Sequence, residues 1–335
     1  MIVVDADVLG RRRTGDETYV ANLLRELPET APDLAFGAVT RHPELVPGGI
    51  APIHLATGSQ ELRMAWTLPR LLRRLRPELA HFQYALPVGY AGRAVVTVHD
   101  LSFERDPSVM GPLDRLTFRL TVPRAVRRAA HVLTVSERTK RDLVELYGVP
   151  EDKVTVTPNG VDPSFAPGPS DGGTPYVLYV GAIQRRKDPQ VALAAANAVG
   201  LPLVVAGPEK EPALARTLRE GGADLRGYVE KDELAGLYRG AAAVLLPSRF
   251  EGFGLPVLEA MACGAPVVAA REPALEEVGG DAALYAAPGE FPDVLRRALA
   301  ERARLSAAGL ARAELFSWRE SGRRTADVYR EVLSR

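Results

Sequence analysis

With 335 residues the chain is long enough for about two domains, and its 46% apolar and 25% charged make-up is that of a soluble globular protein, which excludes a disordered or fibrous one. Basic and acidic residues both total 42, so the basic excess of a nucleic-acid binder is missing. The single cysteine, Cys263, excludes an internal disulfide and fits a reducing cytoplasm.

The chain opens on an apolar run, Ile2–Val4, which reads as a strand and not as the long apolar core of a secretion signal. Asp5-Ala6-Asp7 at its end has the spacing of a metal-binding acidic pair, but nothing else supports a metal and none is expected. Gly15, in Arg13-Thr14-Gly15-Asp16, stands before a helical pattern over Thr18–Leu27 and is a candidate for the wall of a ligand cleft. Two segments, Arg63–Arg76 and Arg115–Arg128, each hold five Arg and, but for their flanks, no acid. They read either as solvated helix faces, each interrupted by a proline (Pro69 and Pro123), or as surfaces that meet anionic lipid or an acceptor phosphate. Leu79–Phe82, Val95–Val98 and Val132–Val135 are further apolar strands. His81 is a cleft candidate with the first of these. The polar pair His99-Asp100 directly follows the second, where the carboxyl end of a strand aims side chains at a ligand. A helical pattern over Glu137–Tyr147 precedes Pro158–Pro175, whose density of Pro, Gly, Ser and Asp marks a linker.

Past the linker the alternation resumes. Strands are expected at Tyr176–Val180, Leu203–Ala206, Val244–Leu246 and Val267–Ala269, with helices over Gln190–Ala198 and Lys231–Tyr238. Near-continuous Val and Leu runs suit parallel strands covered on both faces, so each half is expected to be α/β with a parallel sheet. The longest uncharged apolar stretch, Val191–Pro208, contains Asn197, Gly200 and Pro202 and divides into helix, turn and strand; no membrane span is expected. Cys263 reads as part of a packed helix end, with no His nearby in sequence to activate its thiol. The closing segment, Trp318–Leu333, is an amphipathic helix able to bury Trp318, Tyr329, Val332 and Leu333.

Two clusters in the second half carry the chemistry. Leu245-Leu246-Pro247-Ser248 leaves a strand and runs through Arg249–Leu255 into Pro256 and a helix over Val257–Ala262. Gly252 and Gly254 allow backbone to approach a ligand, and proline suits the first turn of a helix. A glycine-bearing loop that opens a helix presents free N–H groups and a positive dipole end, an arrangement suited to a diphosphate. Glu251 lies in the loop and Glu259 about 4.5 Å along the axis from Pro256, so two carboxylates reach different parts of one ligand. On spacing alone, an ordinary strand–loop–helix with two surface acids reads equally well. The second cluster, Val180-Gly181-Ala182-Ile183-Gln184-Arg185-Arg186-Lys187-Asp188, also follows a strand. Its three successive cations read as a solvated charge run or as neutralisation for a diphosphate leaving group, and their place at a strand's carboxyl end favours the second.

As a set, these segments resemble the family 4 glycosyltransferases over nearly the whole chain. Glu251–Glu259, continuing to Val268, resembles the family's donor-binding signature. Thr97–Leu101 resembles its acceptor-side His segment, Leu133–Glu137 and Val156–Asp162 the segments before its linker, and Phe316–Trp318 the start of its closing helix. Tyr179-Val180-Gly181 with Arg186-Lys187 resembles its diphosphate loop. The resemblance implies the GT-B fold: two Rossmann-like α/β domains whose parallel sheets face each other across a cleft. An acceptor-binding domain would span 1–165, a nucleotide-sugar domain 172–317, and a C-terminal helix, 318–335, would cross back to the first. It implies a retaining, metal-independent hexosyltransferase that needs no cofactor besides its nucleotide-sugar co-substrate. Carried over by position, Glu251 contacts the transferred sugar, Glu259 binds the ribose, and Lys187 with Arg186 holds the diphosphate. The amides of Phe253, Gly254 and Leu255 lie near sugar and phosphate, with Gly252, Gly181 and Gly15 also on the donor side. His99 contacts the sugar from the N-terminal side.

Many members of the family carry Arg directly after the glycine of the diphosphate loop, where this chain has Ala182, and the cation before Lys187 is Arg186, as in a subgroup often found among mannosyltransferases. The resemblance leans toward GDP-mannose as donor, with a UDP-sugar open, and toward a glycan, polyprenyl- or lipid-linked, or small-molecule acceptor. A nucleotide-sugar epimerase and a catalytically inactive binding partner are the alternatives. The implied location is the cytoplasm, with peripheral contact at the inner face of a membrane as the second reading of the Arg-rich segments.

Overall fold

Seven parallel strands make the first sheet: β1 (Ile2–Asp5), β2 (Phe36–Thr40), β3 (Ala51–His54), β4 (Leu79–Gln83), β5 (Ala94–Val98), β6 (His131–Thr134) and β7 (Val154–Val156), in the spatial order β3-β2-β1-β4-β5-β6-β7. Six more, also parallel, make the second: β8 (Tyr176–Val180), β9 (Leu203–Ala206), β10 (Asp224–Gly227), β11 (Ala241–Leu246), β12 (Val267–Ala270) and β13 (Leu284–Ala286), in the order β10-β9-β8-β11-β12-β13. The structure is a computed structural model and describes residues 1–11, 14–106, 110–169 and 173–335, without the side chain of Thr14. Arg13, named above with Gly15, and residues 170–172 of the linker lie outside the described residues.

The helices of the first half are α1 (Thr14–Thr30), α2 (Gln60–Leu62), α3 (Leu68–Leu75), α4 (Ser102–Arg105), α5 (Pro112–Arg128) and α6 (Glu137–Tyr147). Those of the second are α7 (Pro189–Ala198), α8 (Pro212–Glu220), α9 (Lys231–Gly240), α10 (Leu255–Ala262), α11 (Pro273–Gly279), α12 (Phe291–Ala300) and α13 (Arg302–Ala313), followed by the closing helix α14 (Trp318–Ser334). Local chemistry sets many of these ends. Ser136 caps α6 by accepting from the Thr139 amide at 3.1 Å, and Gly148 ends it at φ 63°.

Two units result: Met1–Asn159 with Trp318–Arg335, and Gly160–Ser317. The sequence places the first domain's end at 165, yet the segment after Asn159 is tied into the second unit. Val161 N–H donates to Phe316 O at 3.4 Å, Arg239 donates to Ala166 O at 2.8 Å, and Lys231 pairs with Asp162 at 2.5 Å. The closing helix returns to the first unit, where it packs on α1.

Each sheet is covered on both faces, and for that reason its central strands are buried end to end. In the first unit one face of β4 and β5 presents Phe82, Ala94, Val96 and Val98 to α3 and α5. The other face meets α1 and α14, with His81 of β4 set between Tyr329 and Thr97. In the second unit Val177, Tyr179, Val205 and Leu245 pack with Ala192, Leu218 and Leu295. Pro69 does not interrupt a helix over Arg63–Arg76. A π-turn over Arg63–Thr67 precedes α3, and Pro69 sits in the first turn of α3, where its missing N–H costs nothing. Pro123, by contrast, lies inside α5, which continues past it. No helix among the described residues is long and apolar enough to cross a membrane.

Candidate functional site

In the second sheet the chain winds outward in one direction from β8 and in the other from β11, so these neighbours form the topological switch point. Loops that leave the carboxyl ends of two such strands diverge and leave room for a ligand. Here they are residues 181–188 and 247–254.

The first loop turns through a short 3-10 segment, Arg185–Lys187, and Asp188 takes a left-handed conformation, φ 49°, that starts α7. The second loop is stitched to it. Arg249 N–H donates to Arg186 O at 2.9 Å, Arg249 Nε donates to the Asp188 carboxylate at 2.9 Å, and the Arg186 guanidinium donates to Phe250 O. The stitching turns Arg186 and Lys187 inward and Arg185 outward. Arg185 is 83% exposed beside Glu211, outside the cluster that Lys187 and Arg186 form with Glu251. Lys187 Nζ forms an ion pair with Glu251 Oε1, and Arg186 lies 3.9 Å from Glu251 Oε2. Glu251 is buried, which opposes its ionisation, but the charges of Lys187 and Arg186 outweigh that and hold its carboxyl below the usual range.

Gly254 ends the second loop at φ 104°, a conformation that favours glycine, and a Cβ there would stand 2.7 Å from Leu275 Cδ2. Helix α10 begins at Leu255; Pro256 in its first turn has no N–H and the Val257 amide already donates to Gly254 O at 2.9 Å, so the Leu255 amide is the leading donor without an acceptor within the helix. Phe253 is buried against Phe316, with ring centroids 5.9 Å apart, and Gly252 is half-buried. Glu259, one turn into α10, accepts from Tyr238 Oη at 2.8 Å. Burial raises its pKa to about 7, against the opposing effect of that hydrogen bond. Gly181 has a structural explanation as well: its φ of 152° favours glycine, and a Cβ there would stand 3.3 Å from Tyr179 Oη.

The first unit sorts its candidates differently. His99 follows β5, is 7% exposed, and shares a hydrogen bond of 2.8 Å between Nε2 and Gln83 Oε1. Asp16 lies 3.9 Å from the same nitrogen, which brings the Gly15 segment and His99 together. Gly15 itself marks a kink in α1, and a Cβ there would touch nothing within 4 Å. Asp100 turns away and accepts from Ser102 N at 2.9 Å and Ser102 Oγ at 2.8 Å. His81 is not a cleft residue. It lies within β4, fully buried, between Tyr329 Oη at 2.6 Å and Thr97 Oγ1 at 2.7 Å, and burial drops its pKa to about 3. Asp5 and Asp7 are committed to arginines: Arg63 grips Asp5 with two nitrogens, and Arg11 and Arg41 pair with Asp7. Among the described residues no group of three or more His, Cys, Asp or Glu is placed to hold a metal ion. Buried Cys263 has its thiol pushed up to about 11 by burial, as suits a packing residue.

Three contributors carry no local signal in the sequence: Tyr238, which orients Glu259, the Asp188–Arg249 pair that joins the loops, and Gln83, which holds His99. Only the strand order could have found them.

Residues 13–165 match the description Glycosyltransferase Family 4, and residues 174–303 match Glycosyl transferases group 1. The O-antigen chain mannosyltransferase B of Escherichia coli is 31% identical over 268 residues, 71% of this chain and 70% of that protein. A D-inositol 3-phosphate glycosyltransferase of Xylanimonas cellulosilytica is 35% identical over 245 residues, 62% of this chain and 58% of that protein. Among solved structures, sucrose-phosphate synthase from Thermosynechococcus elongatus superposes with a TM-score of 0.79 over 99% of both chains at 21% identity. HepE of Anabaena, solved with UDP and glucose, reaches 0.74 at 15% identity over 98% of this chain and 99% of that one. Both structural likenesses speak for the fold alone.

Proposed function

The chain belongs to the family 4 glycosyltransferases, and on that premise we propose that it moves mannose from GDP-mannose to the hydroxyl of a glycan, lipid-linked or small-molecule acceptor, with retention of configuration and without a metal or other cofactor. That it is a glycosyltransferase of GT-B type follows from the family and the fold. The mannose reading is supported by the activity in the name of the Escherichia coli relative and by Arg186 before Lys187, as in a subgroup often found among mannosyltransferases. A cytoplasmic location with peripheral membrane contact belongs to the same reading, supported by the lone buried cysteine and the exposed arginines of α3 and α5.

The reading rests above all on the Lys187–Glu251 pair, flanked by Arg186, at the switch point that leads into α10. A diphosphate at the first turn of α10 offers the Lys187 ammonium a more highly charged partner than one carboxylate. Glu251 is then released toward the hydroxyls of the sugar. As the bond from the anomeric carbon to the phosphate oxygen breaks, negative charge grows on the diphosphate. Lys187, Arg186 and the helix amides stabilise that charge most in the transition state. The acceptor oxygen bonds to the same face of the anomeric carbon, and its proton passes to the departing phosphate oxygen. Glu259 takes the ribose hydroxyls, and in the first unit His99 is assigned to the sugar-binding wall.

Thermal shift across a panel of nucleotide sugars, followed by product analysis, tests the proposal. GDP-mannose is expected to raise Tm, by about 2.7 kcal/mol of stability at a hundred times its Kd, and to be turned over. Stabilisation by a UDP-sugar and not by GDP-mannose would move the donor. An epimerised donor without acceptor would replace transfer by epimerisation. Glu251→Gln is expected to lose at least about a hundredfold in turnover while melting normally; full turnover would sink the site.

A further inference from the structure

We propose that the outer face of α5 seats the first unit on an anionic phospholipid bilayer, a statement that rests on the membrane part of the reading above and gives it an element, residues and a lipid class. Leu113, Leu116, Leu120, Arg124 and Arg127 follow at intervals of 3, 4, 4 and 3 and therefore share one side of the helix. The opposite side is spent on the core, where Val122, Ala125 and Val126 are buried with Val96 and Val132. The shared side faces solvent: Leu113 is 76%, Leu116 54% and Leu120 47% exposed. Successive turns of exposed leucine are unusual on a soluble helix and mark a contact surface.

The stripe changes character along its length. Its first half exposes the three leucines with Thr117, whose hydroxyl donates to Leu113 O at 2.9 Å, and its second half exposes Arg124, Arg127 and Arg128. That is the pattern of a helix lying in a membrane interface, with leucines at acyl depth and guanidinium groups among phosphates. A cavity of about 530 Å³ opens against the same stripe, lined by Leu120, Arg124 and Arg127 together with Leu146 of α6. Its one acid, Glu104, already accepts from Tyr147 Oη at 3.0 Å and pairs with Arg119 at 2.9 Å. The charge left in the lining is basic, and guanidinium groups bind phosphate in two-pronged fashion. A lipid phosphate is the ligand class this cavity suits.

A second anchor lies on the same side of the first sheet. Ala94 and Val96 of β5 point one way, and α3 covers the first while α5 covers the second; Leu86 packs against both clusters. In the turn before α3, Trp66 is 56% exposed and the Arg70 guanidinium stacks 3.0 Å over its ring. Exposed Trp beside Arg is the composition of a membrane–water boundary. The run of cations behind the leucines is what selects anionic lipid: α5 holds five arginines against one acid, Asp114, so a second copy meeting it through the same face would bring a like-charged helix.

Flotation of the full chain tests this, with phosphatidylcholine vesicles with and without phosphatidylglycerol, at low and high salt. The chain is expected to float with phosphatidylglycerol vesicles at low salt, several-fold less at high salt, and not with phosphatidylcholine alone. Leu116→Glu with Leu120→Glu, and separately Arg124→Glu with Arg127→Glu, are each expected to cut the bound fraction about tenfold. All four positions are on the surface, so circular dichroism and the nucleotide-sugar thermal shift should be unchanged. Failure of the unaltered chain to float at low salt would overturn both this site and the membrane reading. Flotation indifferent to both double variants would overturn the α5 site while membrane contact elsewhere stands. A dimer in sedimentation that Leu116→Glu abolishes, with no flotation, would give the face to a second copy and overturn the lipid. The thermal shift reports on the transferase assignment independently of all these outcomes.

Discussion

Where β1 parts from β4, Asp5 and Asp7 sit among Arg11, Arg41 and Arg63; where β8 parts from β11, Glu251 sits between Lys187 and Arg186. Both are switch points of doubly wound sheets, and both hold acids neutralised by cations. In the first, Arg63 is 1% exposed and grips Asp5 with two nitrogens, while Asp7 gathers arginines from two other segments. A desolvated, two-pronged pair is rigid and cannot exchange partners cheaply. In the second, the main partner is a lysine, a single point charge on a flexible stem, set before the open turn of a helix. One ion cluster braces the fold; under the proposed function the other trades its carboxylate for phosphate. The chemistry around a buried pair, more than its presence, separates a structural use from a functional one.

Breaking the second cluster should have the largest effect. Lys187→Ala is expected to lower kcat on the order of 10³-fold and to cost less stability than Arg63→Met, because Arg186 stays beside the buried Glu251, read by steady-state kinetics beside a thermal melt. Breaking the first should do the reverse. Arg63→Met leaves Asp5 without its partner and is expected to cost about 3–5 kcal/mol in urea unfolding, with kcat/KM of the folded fraction retained. If Arg63→Met spares stability and removes activity, the brace and the exchanging pair have been assigned the wrong way round. Gly254→Ala comes next, at about 1–3 kcal/mol from its positive φ together with the approach to Leu275, and should be visible as faster amide exchange over α10.

The smallest effects separate the two units by pH. His81 titrates near 3 in the folded state against 6.5 as its ordinary value, so the unfolded chain binds the extra proton between them. Its contribution is present above about 6.5 and is lost as pH falls, by up to about 1.4 kcal/mol per unit. Glu259 runs the other way. Its folded value, about 7, lies above the ordinary 4.5, so the folded chain binds the extra proton. That contribution is present below 4.5 and lost as pH rises toward 7, at about the same slope or less. Hydrogen exchange at pH 5 and pH 7.5 should show β4 and α14 better protected at the higher pH, and α9 and α10 at the lower. Glu259→Gln should flatten only the second trend. Donor affinity should weaken below pH 7 in the unaltered protein if ribose hydroxyls donate to the ionised Glu259, and calorimetric titration reads that directly.

Much of the fold was legible because it is local. The apolar runs of β8 and β9 predict their bounds, and Ser136 with Gly148 delimits α6. Strands β3, β7, β10 and β13 escaped, because all four lie at sheet edges where one flank needs no burial and the sequence reads APIH, VTV, DLRG and LYA. The inner strand β2 escaped for another reason: Gly37 and Thr40 break its apolar run although every residue is buried. In the site, the motif residues of the two loops were legible from position and resemblance, whereas the outward turn of Arg185 was not. Three adjacent cations look alike until the Arg249 amide meets Arg186 O and decides which of them face the helix.

The sequence by itself determined the alternation of strands and helices, the glycine and proline at the mouth of α10, and the family. Each of these depends on periodicity or on the backbone freedom of neighbouring residues, which a few positions suffice to specify. Tertiary structure alone decided which acid meets which cation. Lys187 and Glu251 are 64 residues apart, Asp5 and Arg63 are 58, and His81 and Tyr329 are 248. Those partners are chosen by the order in which strands lie side by side. That order follows from how whole faces of helices and sheets are buried together, a property no local stretch of chain contains.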